Sequence, residues 1–183
     1  IAQYINETAL FRNQWQFRPE TRDGHHETDE ELKERIRPVL REELETAKAE
    51  GWLVPAVAWG YFPVNSEGGD VIVWTDESRT TERLRLNFPR QRKAPFHCIS
   101  DFFRPVDSGE VDYAAFHVVT VGAQATERER ELFAADRYND YLRCHGLSVE
   151  MTEALAELWH HRIRDEWGFV DEDGPSLAGL FRQ

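Results

Sequence analysis

Val54-Pro55-Ala56-Val57-Ala58-Trp59-Gly60-Tyr61, Val71-Ile72-Val73-Trp74-Thr75 and Thr81-Glu82-Arg83-Leu84-Arg85-Leu86-Asn87-Phe88 are three short runs rich in β-branched and aromatic side chains. Such runs, broken by polar and glycine-containing stretches, predict strands. Asn65-Ser66-Glu67-Gly68-Gly69-Asp70 between the first two predicts a turn, because paired glycines adopt backbone angles closed to other residues. In the third run Leu84, Leu86 and Phe88 alternate with Arg83, Arg85 and Asn87, which predicts one dry and one wet face. Val111 to Val121 is the longest strand candidate and apolar enough to be central.

On either side of this block the apolar period becomes helical. Thr28-Asp29-Glu30-Glu31 is a capping box, after which Leu32, Ile36, Val39, Leu40, Leu44 and Ala47 recur along one face. Gly51 supplies a left-handed exit, and Pro38 is expected to kink the helix. The polar Arg18 to Thr28 stretch ahead of it predicts a loop. After the strands, Thr126 with Glu129 predicts a cap, and Leu132, Ala135, Tyr138 and Leu142 predict a helix that Gly146 ends. Leu147, Met151, Leu155, Leu158 and Arg162 predict a second, running toward Gly168. Helix, strands, then helices lack βαβ alternation, so an α+β fold is expected: a twisted, largely antiparallel sheet flanked by helices, in one domain over 1–183.

The 183 residues hold 22 Lys plus Arg against 34 Asp plus Glu, a net charge of −12 that argues against a nucleic-acid or anionic-membrane partner. No apolar run approaches the roughly 18 residues that span a bilayer. Cys98 and Cys144 give neither a C-x-x-C site nor a disulfide framework, so a reducing cytoplasm is expected. Dinucleotide, P-loop, zinc-protease and serine-hydrolase motifs are absent. His97-Cys98, Cys144-His145 and His160-His161 could converge on zinc, but adjacent residues diverge on any element, so no metal site is assigned. Arg79, Arg83, Arg85, Arg90, Arg92 and Lys93 form the one basic stretch, either a solvated strand face or a docking patch for an acidic partner. Asp165, Glu166, Asp171, Glu172 and Asp173 form an opposing acidic end. Glu153, flanked by small Thr152 and Ala154, has room beside its carboxylate for a ligand.

Six segments in order extend this reading: Tyr4-Ile5-Asn6-Glu7-Thr8-Ala9-Leu10-Phe11 with Trp15; Ala58-Trp59-Gly60-Tyr61-Phe62-Pro63 with Gly69-Asp70; Asn87-Phe88-Pro89-Arg90-Gln91; Cys98-Ile99-Ser100-Asp101-Phe102; Val118-Val119-Thr120-Val121-Gly122; and the Tyr138 to Gly168 region. Together they resemble the reactivation domain of cobalamin-dependent methionine synthase over nearly the whole chain. The resemblance implies a module that binds S-adenosylmethionine and docks on the separate cobalamin-binding domain of the same enzyme. It also implies reductive methylation of cob(II)alamin with an electron from a flavodoxin-like or reductase donor. Such a module supports methyl transfer to homocysteine and is not expected to turn over alone. The alternative is a protein-docking module with no small-molecule ligand.

Residue by residue, the resemblance implies S-adenosylmethionine contacts at Glu153 and at Asn6, where some members carry Asp. Val149 falls where some members place an acidic residue facing the cobalamin domain, and Arg83, Arg85 and Arg90 are the docking candidates in the basic stretch. The family's Arg followed by Gly-Tyr-Pro-Ala-Cys-Pro is expected just past Gln183, and Ile1 in place of a start methionine marks an excerpt of a longer polypeptide. That Arg would clamp the ligand carboxylate, so S-adenosylmethionine binding by these 183 residues alone is expected to be weak.

Overall fold

A computed structural model describes residues 1–173, and its internal contacts gather into two compact units. Unit 1 is Ile1–Val57 with Val118–Gln183, and unit 2 is Ala58–His117.

In unit 1, strands β1 (Thr21–Arg22) and β2 (His25–His26) form a minimal hairpin where a loop was expected, with Thr21 opposite His26. Asp23 and Gly24 take the left-handed angles that so tight a reversal needs. Helix α1 (Asp29–Glu50) begins at the expected capping box: the Thr28 hydroxyl accepts from the Glu31 amide and the Glu31 carboxylate accepts from the Thr28 amide. The Thr28 amide, then the His25 ring and the Thr28 hydroxyl, bond the Glu31 carboxylate and hold its pKa down at about 2. The helix is continuous through Pro38 and ends at Gly51 in the left-handed conformation. Leu32, Ile36, Leu40 and Ala47 are its buried face.

The last helices depart from expectation. Helix α2 (Ala123–Ala134) is capped by Gly122 rather than Thr126, because the helix starts a turn earlier and buries Ala125. The chain breaks at Asp136, which takes a φ of 57°, and α3 (Tyr138–Trp167) then runs 30 residues straight through Gly146. Gly146 is therefore a contact surface and not a stop. A Cβ there would sit 2.7 Å from Cβ of Gln14 and 2.8 Å from the Trp15 ring, so only glycine lets the N-terminal segment lie this close. That segment holds a π-helical turn (Ala9–Gln14) whose Leu10 and Phe11 are fully buried. With Trp15, the α1 face, Leu132, Leu147 and Met151 they form the core of unit 1.

The four-stranded sheet is ordered β5-β4-β3-β6, with β3 Ala56–Glu67, β4 Asp70–Trp74, β5 Glu82–Asn87 and β6 Asp112–Thr120. The fold is α+β, with β3 and β4 antiparallel (Val64 opposite Val73) and β4 and β5 antiparallel (Val73 opposite Leu84). Two expectations fail here. The longest strand is β3, which continues through Asn65 to Glu67 and leaves only Gly68-Gly69 as the turn. Strand β6 lies at the sheet edge and not its centre; its apolar residues pass for central ones, yet Tyr113 and Phe116 are exposed. Val64, Val71, Val73 and Ala114 are the buried core of unit 2.

Asn65, fully buried, ties this unit together. Its amide donates to the carbonyls of Arg104 (3.0 Å) and Glu110 (2.8 Å), while its oxygen accepts from the Trp74 indole at 3.0 Å. Ser66 extends the same seam, donating its hydroxyl to the Phe103 carbonyl at 2.9 Å.

Candidate functional site

Helix α3, about 45 Å long at 1.5 Å per residue, receives the N-terminal segment along its length. The Trp15 indole donates to the Arg143 carbonyl at 3.0 Å, the Gln14 amide approaches the Glu150 carboxylate at 3.5 Å, and the Tyr4 ring lies 6.3 Å from that of His161. These anchors bracket both sequence-derived ligand residues: Asn6 lies between Tyr4 and Gln14, and Glu153 between Glu150 and His161. Both residues belong to unit 1, Asn6 on the N-terminal segment and Glu153 on α3.

Glu153 is exposed, and among the described residues it has no hydrogen-bond or ion-pair partner. Asn6 is also exposed, but its oxygen already accepts from the Ala9 amide at 3.1 Å and starts the π-helical turn. That leaves one lone pair and the NH₂ group for a ligand. Val149 is half-buried, one residue ahead of Glu150.

Sequence reasoning missed Glu150. It falls three residues after Leu147 and four before Ala154 on the buried stripe of α3, and it is 2% exposed. Its Oε2 has no hydrogen-bond partner among the described residues. Burial, then the neighbouring charge of Glu153, pushes its pKa up, and the Gln14 contact opposes this only in part. The signal was present as a polar residue inside an apolar stripe.

A carboxyl whose folded pKa is raised makes stability fall as pH rises from its ordinary value near 4.5 through the raised one, because the folded state holds the extra proton across that window. Glu150→Gln lacks the ionising group and keeps an oxygen for Gln14. It should melt higher than the parent at pH 8, by about 1 kcal/mol or roughly 2–4 °C, with a smaller gain at pH 5. Thermal melts at the two pH values test this, and a gain independent of pH would refute it.

The three docking arginines differ in availability. Arg85 pairs with Glu82 (2.5 Å), Glu67 (2.7 Å) and Asp70 (3.2 Å), and these bonds raise its pKa further. Arg90 grips both oxygens of Asp101 at 2.6 Å, and that bond, with the Cys98 amide, holds the Asp101 carboxyl down at about 2. Arg83 has no ion pair among the described residues and lies 5.2 Å from the centroid of the Phe62 ring. Of the acidic end, Asp165, Glu166, Asp171, Glu172 and Asp173 lie at the close of α3 and in the 3₁₀ turn Val170–Asp173. No group of three or more His, Cys, Asp or Glu among the described residues is placed to hold a metal ion, and no described helix is long and apolar enough to cross a membrane.

An antiparallel sheet flanked by helices defines an α+β fold, not a doubly wound nucleotide fold. Residues 1–183 match the family model described as vitamin B12 dependent methionine synthase, activation domain, and the chain belongs to that family. Methionine synthase of Mycobacterium tuberculosis (strain ATCC 25618 / H37Rv) is 44% identical over 172 residues, 90% of this chain and 14% of that protein. Methionine synthase of Mycobacterium leprae (strain TN) is 42% identical over 173 residues, 91% of this chain and again 14% of the relative. The chain thus spans about a seventh of these relatives. Among solved structures, the crystal structure of the MetH reactivation domain bound to AdoHcy superposes with a TM-score of 0.82 at 27% identity, covering 99% of this chain and 57% of the other.

Proposed function

We propose that this chain acts as one activation domain of a cobalamin-dependent methionine synthase. In this reading it binds S-adenosylmethionine and docks on the cobalamin domain of the same enzyme for reductive methylation of cob(II)alamin. The observation that supports the reading is the exposed Glu153 carboxylate on α3, without an ion-pair partner among the described residues, in a chain similar to a reactivation domain bound to AdoHcy. The ligand offers an ammonium group, a sulfonium and ribose hydroxyls. A free carboxylate and a primary amide are the partners these need, so the residues present fit the group. When bound, S-adenosylmethionine supplies an activated methyl group. The chain's own part is positioning: Glu153, fixed on α3, pairs with the ammonium or accepts from the ribose, and Asn6, held by the Ala9 amide, donates from its own amide. The cobalamin belongs to a separate domain, and a flavodoxin-like or reductase donor provides the electron. The methyl acceptor of the whole enzyme is homocysteine, and this domain alone carries no turnover. Its expected place is the cytoplasm.

Calorimetric titration of this chain and of the full-length parent with S-adenosylmethionine and S-adenosylhomocysteine tests the reading. Saturable one-to-one binding of both ligands is expected, weaker in this chain than in the full-length parent. Absence of binding by the full-length parent at millimolar ligand would favour a docking module without a small molecule.

A further inference from the structure

We propose that unit 2 carries a second site, for a small amphipathic anion, where the Arg83 guanidinium meets the apolar sheet face formed by Phe62, Val73, Leu84, Leu86 and Phe116. Val64, Val73 and Leu84 are successive partners across β3, β4 and β5, so their side chains leave one face of the sheet. Phe62 is two residues from Val64 and Leu86 two from Leu84, so both join that face. The alternation of β5 places Arg83 on the opposite face with Arg85. The register breaks this pattern: Val73 pairs with Leu84, yet Trp74 pairs with Glu82, leaving Arg83 as the extra residue of a β-bulge. Bulges re-aim side chains, and this one swings the guanidinium over the Phe62 ring, 5.2 Å from its centroid.

The result is an open cavity of about 350 Å³ lined by Phe62, Val73, Arg83, Leu84, Leu86 and Phe116. That volume lies within the range of small-ligand sites, which combine apolar walls with few convergent polar groups. Leu84 is 52% and Phe116 38% exposed, so apolar surface is there to be covered. Arg83 is the sole charged residue in the lining. The nearest carboxylate in sequence, Glu82, is held by Arg85. An arginine stacked on an aromatic face keeps its edge donors free, in the geometry that grips a carboxylate or sulfonate through two parallel hydrogen bonds. With no acidic residue in the lining, a cationic amphiphile finds no partner there. The ligand class is therefore an apolar body ending in a single anionic group, and the site is independent of Glu153 and Asn6.

Decanoate serves as the probe and decyltrimethylammonium as its opposite, each titrated into the ¹⁵N-labelled protein and followed by amide shifts and calorimetry. Saturable decanoate binding is expected, with shifts centred on Phe62, Leu84, Leu86 and Phe116, and with affinity lowered at least tenfold in Arg83→Gln. Leu84→Asp should abolish binding, and Arg92→Gln, in the same basic stretch but outside the cavity, should leave it unchanged. Equal binding of the ammonium, shifts centred elsewhere, no saturation, or full affinity in Arg83→Gln would each overturn the proposal. The wild-type shift map decides location even if a variant folds poorly.

Discussion

Glu153→Gln in the full-length parent protein should weaken S-adenosylmethionine by roughly 10- to 150-fold, which is the loss of about 1.5–3 kcal/mol of charge-assisted pairing. The melting temperature should barely move, because Glu153 is exposed and makes no described ion pair whose loss would be felt. The substitution preserves volume and one hydrogen-bonding oxygen, so it separates charge from shape. S-adenosylhomocysteine lacks the sulfonium but keeps the ammonium, and it should weaken by a similar factor if Glu153 reads the ammonium. Weakening of S-adenosylmethionine alone would assign the carboxylate to the sulfonium. If neither ligand weakens, Glu153 is an ordinary surface residue and the site assignment falls.

The largest effect on stability is expected at Asn65. Asn65→Ala leaves the indole N–H of Trp74 without its acceptor at a fully buried position and removes one donor each from the carbonyls of Arg104 and Glu110, which still accept from the Ser66 amide (2.9 Å) and the Ser108 hydroxyl (3.3 Å). The orphaned indole costs about 1–3 kcal/mol and each lost hydrogen bond about 0.5–1.5 kcal/mol, and relaxation makes the sum less than additive, so a loss of about 2–4 kcal/mol follows. Chemical denaturation measures it. Hydrogen exchange should show protection lost within residues 58–117. A loss below about 1 kcal/mol would mean that water replaces the asparagine at little cost.

What could be read in advance was local. Thr28 and Glu31 cap a helix that Gly51 ends because all the chemistry involved lies within a few residues. What could not be read depended on partners distant in sequence. Gly146 resembles a helix terminator until Trp15 and Gln14 occupy the space its missing side chain leaves. Arg83 resembles a wet-face residue until the pairing with β4 skips it. Strand β6 reads as central from its apolar content, but order in a sheet is fixed by which strands pair, and no single strand encodes that. Of the site, Glu153 and Asn6 came from resemblance, while Glu150 was visible only as a polar residue breaking an apolar stripe and gained meaning from its burial.

The N-terminal segment finds its seat on α3, and this has a consequence during synthesis. Gln14 and Glu150 are separated by 136 positions, so at about 5–20 residues per second a ribosome needs roughly 7 to 27 s to bridge them. Through that interval Leu10, Phe11 and Trp15 have emerged while the helix that buries them does not yet exist. Among residues 1–173, an apolar cluster made early is thus among the last to be covered, which makes it a natural foothold for a chaperone that holds nascent chains.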